Sequence, residues 1–187
     1  MRYPASQTAE KHEKILKEAA RLFRERGFYG AGVADIMKAA GLTHGAFYAH
    51  FASKEELEAE AVERAFAQSD NRVYALTTNA RDPKRVFLDS YLSAAHRDHP
   101  GSGCVIAALG PEIARGYAAR KPFSQRVKHM IEGIAGRFRW KRKGAARRNS
   151  IHLLSAAVGA LTLARAVDDP ELADEILESV RDSLASL

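Results

Sequence analysis

An all-α fold follows from three features of the sequence. Apolar residues recur at spacings of three and four along nearly the whole chain. No stretch alternates apolar and polar residues as a half-buried strand would, and no internal repeat is present. The residues between the periodic stretches are those that start and end helices: Gly27, Gly41, Ser53, the pair Asp82-Pro83, and Pro170.

The chain opens with a polar lead-in of about eight residues that carries Arg2. The first helix is expected from near Thr8. Its stripe is Ile15, Leu16, Ala19, Ala20, Leu22 and Phe23, with lysines and arginines over much of the remainder and Gly27 closing it. A second helix spans about Val33 to Ala40. Gly32 precedes it, so no side chain is available to cap it, but the N–H groups of Val33 and Ala34 could face an anion. Gly41 can adopt the left-handed conformation that ends a helix, Leu42 gives the turn an apolar residue to bury, and the Thr43 hydroxyl can cap the next helix.

The third helix, about Thr43 to His50, is short and two-sided. Phe47 and Phe51 lie four apart and face inward, whereas His44, Gly45, Tyr48 and His50 lie mostly on the other side. Ser53 and Glu56 then match the capping-box spacing, and a long helix begins at Lys54 with Leu57, Ala61, Val62, Ala65, Phe66, Val73 and Leu76 on its apolar line. Two helices joined by a tight glycine turn, the second exposing polar groups, suit the major groove of a duplex.

Beyond this region the pattern is of further helices. Asp82-Pro83 opens one that carries Val86, Phe87, Tyr91, Leu92 and Ala95, and residues 99–103 form a loop. Cys104 to Ile113 reads as a short helix with a kink or restart at Pro111, and another helix runs from about Pro122 to Trp140. Arg137, Arg139, Lys141, Arg142, Lys143, Arg147 and Arg148 form a run without an acid. It reads as a solvated loop or a partner for the acidic final helix that starts at Pro170. Between them lies Ile151 to Val167, nearly uncharged and rich in Ala, Gly and Ser, which must be buried on most sides. It is expected to pair with the last helix across a two-fold axis, giving a dimer interface of Ile151, Leu154, Val158, Leu161, Leu172, Ile176, Val180 and Leu184.

Composition narrows the function. A formal charge of +6 agrees with a polyanionic partner. No apolar run is long enough for a membrane span, and the polar start lacks a signal-peptide core, so a cytoplasmic protein is expected. Cys104 is the single cysteine, which excludes an intrachain disulfide. His96 and His99 lack a third ligand at metal spacing, and no nucleophile motif, phosphate loop or carboxylate pair appears. Neither a cofactor nor an enzymatic activity is expected. An enzyme carrying a DNA-binding appendage and a helical protein-interaction module are the alternatives.

The segment from about Lys14 to Leu57 resembles the DNA-binding domain of the tetracycline-repressor-like (TetR) family of bacterial regulators. The matching residues are Ala20, Phe23, Gly27-Phe28, Val33-Ala34-Asp35-Ile36, Ala40-Gly41-Leu42, Gly45, Phe47-Tyr48, His50-Phe51 and Ser53-Lys54-Glu55-Glu56-Leu57. Two positions depart from the family's habit: Gly32 stands where Ser or Thr is usual, and His44 where Lys is frequent.

The resemblance implies a three-helix helix-turn-helix DNA-binding domain over residues 1–54 and a larger helical effector-binding and dimerisation domain over 55–187. It implies a homodimeric repressor that leaves a near-palindromic operator in double-stranded DNA when a small molecule binds. Its DNA-facing residues would be Thr43, His44, Gly45, Ala46, Tyr48, Ala49, His50 and Lys54. Of these, Tyr48, His50 and Lys54 would hold phosphates, while His44, Gly45, Ala46 and Ala49 would meet base edges. An effector pocket would draw on Phe66, Tyr91, Leu92, His96, Cys104, Met130, Ile134 and His152. Cys104, at the start of a helix, also suggests an alternative in which a thiol senses oxidants or electrophiles.

Overall fold

The computed structural model describes residues 5–116, 119–141 and 144–187. Arg2 of the lead-in, and Arg142 and Lys143 of the basic run, lie outside the described residues. No strand occurs among the described residues, and the fold is all-α.

The first helix, α1, spans Ala5–Gly30 and is longer than its apolar stripe suggested. Gly27 interrupts it with φ of 74° and ψ of 175°, conformations a side chain resists. The break turns Phe28 into the core, edge-on to Phe23 at 5.1 Å. A Cβ at Gly27 would also collide with the Glu112 carboxylate. The next helix, α2, is Val33–Ala39. Its start carries Gly32 without a side-chain cap, and Gly32 N–H donates to Asp35 Oδ2 at 3.3 Å. A carboxylate therefore already occupies the end where the sequence suggested an anion.

A 3-10 helix at His44–Ala49 comes next and is called the reading helix. Then come α3 (Lys54–Thr77), α4 (Pro83–Tyr91), α5 (Ala94–Asp98) and a single 3-10 turn at Pro100–Ser102. The helix expected to continue to Ala95 thus stops at Tyr91 and restarts, with Ser93 Oγ accepting from His96 N–H as the new cap. The remaining elements are α6 (Val105–Ala114), α7 (Arg120–Arg137), α8 (Ala146–Ala166) and α9 (Pro170–Ala185). The α6 helix runs on through Pro111 without the suggested restart.

Two cores organise these elements. The first joins the aromatic and aliphatic faces of α1, α2 and the reading helix to the N-terminal half of α3 and to Val105, Leu109 and Ile113 of α6. The second packs α4, α7, α8 and α9 together around Phe87, Leu88, Leu92, Ile134 and Leu153. Residue 54, the expected boundary, begins a helix that serves the first core as far as Phe66. Both α3 and α6 contribute residues to the two cores.

The expected interface line divides. Leu154 and Leu184 are buried in the chain's own second core and Leu161 is fully buried, so they are corrected from interface to interior. The reason is that α8 is apolar nearly all round, so periodicity cannot say which side meets α7 and α9. Ile151 and Leu172 stay exposed, and Val158, Ile176 and Val180 are half-buried. Leu163, absent from the sequence-based set, is the most exposed apolar side chain of α8, at 57 %. The basic run does not meet the acids of α9 through any ion pair among the described residues. Lys141 Nζ instead donates to the Ser186 carbonyl at that helix's end.

Candidate functional site

The turn into the reading helix has the geometry its residues predict. Gly41 takes φ of 69°, its N–H donates to the Lys38 carbonyl at 3.0 Å, and Leu42 N–H donates to the Met37 carbonyl at 2.9 Å. These are the paired bonds of a Schellman ending, in which a glycine frees the chain to reverse. The Thr43 hydroxyl, however, makes no capping bond; the Thr43 carbonyl accepts from Ala46 N–H at 3.1 Å. With only six residues and i→i+3 bonding, the reading helix is tighter than the α-helix the sequence suggested.

Tertiary contacts hold it in place. Phe47 and Phe51 are each 2 % exposed and stack at 5.6 Å. His12, from the first turns of α1, lies flat on Phe51 at 4.6 Å and places its Nε2 3.0 Å from Glu60 Oε2 of α3. Sequence reasoning missed His12, since nothing local distinguishes it from the polar residues around it. At the far end Ser53 Oγ accepts from Glu56 N–H at 3.2 Å, while Glu56 Oε2 accepts from Ala52 N–H at 2.5 Å. The capping box thus forms one residue out of its usual register.

This clamp leaves Thr43, His44, Gly45, Tyr48 and Ala49 exposed on one side, with Tyr48 71 % exposed. Ala46 is partly buried against the first core, which reduces what its methyl can offer to a base. His50 is half-buried, and burial, with His12 and Lys11 nearby, holds its pKa below the usual imidazole value. Lys54, expected to face DNA, makes contacts within the protein. Its Nζ donates to the Phe28 carbonyl at 2.5 Å and lies 3.9 Å from Glu58. The amine ties α3 to the exit of α1. Glu58 is buried beside it, and its pKa is pushed up to about 7, chiefly by burial and against the pull of Lys54.

A cavity of about 330 Å³ opens between α3, α4 and α7 and the start of α6. Of the expected pocket residues, Phe66, Tyr91, His96, Cys104, Met130 and Ile134 line it. Leu92 does not; it is fully buried in the second core. His152 does not either, because it points outward from α8. Both errors come from assigning a helix face without knowing its neighbours.

One wall of the cavity is a hydrogen-bonded joint. Cys104 N–H donates to His96 Nε2 at 3.0 Å, so Nδ1 carries the proton and donates to the Tyr91 carbonyl at 2.7 Å. Burial lowers the His96 pKa and favours this neutral form. Both ring nitrogens are occupied, which makes His96 a brace between the α4–α5 turn and the start of α6. The Tyr91 hydroxyl is buried beside Cys104 without a hydrogen-bond partner, and burial raises its pKa well above the usual phenol value.

From the other side, Arg24 of α1 reaches the Gly103 carbonyl at 3.3 Å and Gln68 Oε1 at 3.1 Å. It is buried without an acid partner, and desolvation together with Arg72 lowers its pKa to about 10. Glu112 of α6 accepts from Phe28 N–H at 2.8 Å. Arg24 and Glu112 therefore link the helix that supports the reading face to the residues around the cavity.

The chain is similar to known proteins in sequence and in fold. The family model for bacterial regulatory proteins of the tetR family matches residues 15–61. The chain is 28 % identical over 102 residues to the HTH-type transcriptional repressor DhaR of Mycobacterium sp. strain GP1, covering 54 % of this chain and 52 % of that protein. It is 30 % identical over 105 residues to the HTH-type transcriptional repressor NemR of Escherichia coli K12, covering 54 % and 53 %. The chain spans about half or less of the length of the curated relatives it matches. A TetR transcriptional regulator from Chloroflexus aurantiacus superposes with a TM-score of 0.80 at 25 % identity, over 97 % of this chain and 95 % of that one. A TetR-family regulator from Cytophaga hutchinsonii has the same fold, with a TM-score of 0.82 at 19 % identity and coverage of 99 % and 98 %.

Proposed function

We propose that this chain, which belongs to the TetR family of bacterial regulatory proteins, is a cytoplasmic DNA-binding repressor that works as a homodimer and releases its operator when a small molecule enters the cavity. The observation that carries the reading is the exposed side of the reading helix. Thr43, His44, Gly45, Tyr48 and Ala49 form a polar, closely approachable surface, backed by buried Phe47 and Phe51. Tyr48 and His50 would contact phosphates and set the register, and His44 with the backbone at Gly45 would meet base edges. Lys54, already engaged by the Phe28 carbonyl, acts mainly by holding the domain together.

The outer side of α8 supports the dimer. Ile151, Ser155, Gly159, Thr162 and Leu163 carry no charge, and Leu172 of α9 adds an exposed apolar residue. Two reading helices, roughly 34–36 Å apart, would reach successive major grooves on one face of B-DNA. An effector releases DNA only if it binds the released form better than the DNA-bound form. Arg24 and Glu112 offer a route by which a shift of α6 or the 99–103 loop would tilt α1.

The test is selection of bound sites from random duplex DNA, followed by anisotropy titration at several salt concentrations. Tyr48→Ala should weaken binding by roughly 5–30-fold, the effect of losing one or two kcal/mol, with the fold intact. Tight salt-sensitive binding that is indifferent to this change would overturn the assignment of the face. Cys104 lining the cavity favours a second reading, in which its thiol captures an electrophile. Release of DNA by methyl vinyl ketone from the Cys104→Ser protein would exclude it.

A further inference from the structure

The cavity has an apolar interior and a charged mouth. Phe66, Val73, Phe87, Val105, Met130 and Ile134 supply the interior. Arg72 and Arg137 also line it, and both are exposed, so they stand where it meets solvent. Neither has an ion-pair partner among the described residues. Arg137 lies over the Tyr74 ring at 5.5 Å, and Arg72 donates to the Ser102 carbonyl at 3.0 Å. Asp70, the acid in the lining, lies 3.6 Å from Arg126 Nη1, whose Nε donates to Glu63 at 2.6 Å. Among the described residues the lining therefore carries two guanidinium groups that no acid pairs, against the one carboxylate of Asp70, above walls that disfavour a fully hydrated ion.

Resting on the reading of this cavity as the effector site, we infer that its occupant is a small amphipathic carboxylate. Its apolar body, one or two rings in size, fills the space between α3, α4 and α7, and its carboxylate meets Arg137 and Arg72 at the opening. A guanidinium fork matches the two oxygens of a carboxylate, and such charge-assisted bonds are the stronger ones. A volume near 330 Å³ falls at the small end of ordinary ligand pockets, which suits a compact molecule rather than a long chain. An amine of the same shape would meet like charge at the mouth. A neutral amide would keep the apolar contact and lose the charge.

Calorimetric titration of the full chain with 2-naphthoate, 2-naphthamide and 2-(aminomethyl)naphthalene tests this. The acid should bind roughly tenfold tighter than the amide, the increment expected of a charge-assisted bond, with the amine weakest. In Arg137→Gln the acid should fall to the level of the amide, while the amide and the thermal midpoint stay unchanged. Equal or tighter binding of amide or amine, an acid preference that survives Arg137→Gln, or no binding by any of the three would overturn the inference. Operator binding by the unliganded protein is measured alongside. Selective uptake of naphthoate by a protein that holds no duplex would remove the regulatory reading and leave the ligand class standing. A protein that binds its operator but ignores naphthoate would remove only the ligand class.

Discussion

His96→Phe should destabilise the protein by about 2–6 kcal/mol at pH 8. The change removes the acceptor for Cys104 N–H and the donor to the Tyr91 carbonyl, which lie 3.0 and 2.7 Å from the ring nitrogens. Each partly buried backbone group left without a partner costs about 1–3 kcal/mol. The new ring keeps an edge-on contact with Tyr91, now 4.7 Å from the imidazole, so the loss is confined to the polar bonds. Urea denaturation followed by circular dichroism would measure it, as a lower midpoint at unchanged slope.

The same ring predicts a pH dependence. The folded-state pKa of His96 is lowered, so the unfolded chain binds the proton more readily. Its contribution to stability is complete above the unfolded value of about 6.5 and is lost as pH falls through the lower folded value, with a slope of up to about 1.4 kcal/mol per pH unit. His50 is shifted in the same direction, so the diagnostic quantity is the difference between wild type and His96→Phe. That difference should shrink between pH 8 and pH 5. A variant within about 0.5 kcal/mol of wild type at pH 8, or a gap that does not depend on pH, would refute the brace.

The geometry makes three other outcomes testable. Gly41→Ala should cost about 1–2 kcal/mol in thermal or urea unfolding, because φ is 69° while an added Cβ would meet only Lys14 Nζ, at 3.5 Å. Leu163→Asp should shift the protein from dimer to monomer in light scattering with little change in protomer helicity, since the side chain is exposed in the protomer. Operator affinity should rise as pH falls from 8 toward 6 and flatten in His50→Gln. The free protein holds this imidazole's pKa low, and a phosphate beside it would raise it, so binding takes up a proton.

Much of the reading face was legible from local pattern. The spacing of Phe47 and Phe51, the glycine at 41 and the Ser53–Glu56 pair each encode a choice made within a few residues, and each is met in the structure. What escaped were bonds between residues distant in sequence. His12 beneath Phe51, Lys54 on the Phe28 carbonyl, Arg24 at Gly103 and Glu112 at Phe28 are separated by 26 or more residues. The pocket was legible in part for the same reason. Phe66 and Met130 line the cavity, whereas Leu92 and His152 sit on helix faces that only their neighbours define.

The amino-acid order alone determined that this chain is helical, where most helices begin, and that a short two-sided segment near the N-terminus resembles the second helix of a helix-turn-helix. Those properties depend on interactions spanning one or two turns, which a one-dimensional pattern records. Tertiary structure decided that the reading segment is a 3-10 helix, that α3 and α6 serve both cores, and which sides of α8 face inward. It also decided that His96 is a brace, with both nitrogens spent on backbone groups. A nearly uniform apolar helix has no preferred face until its neighbours arrive, and a polar side chain has no role until a partner from elsewhere in the chain comes within hydrogen-bond reach.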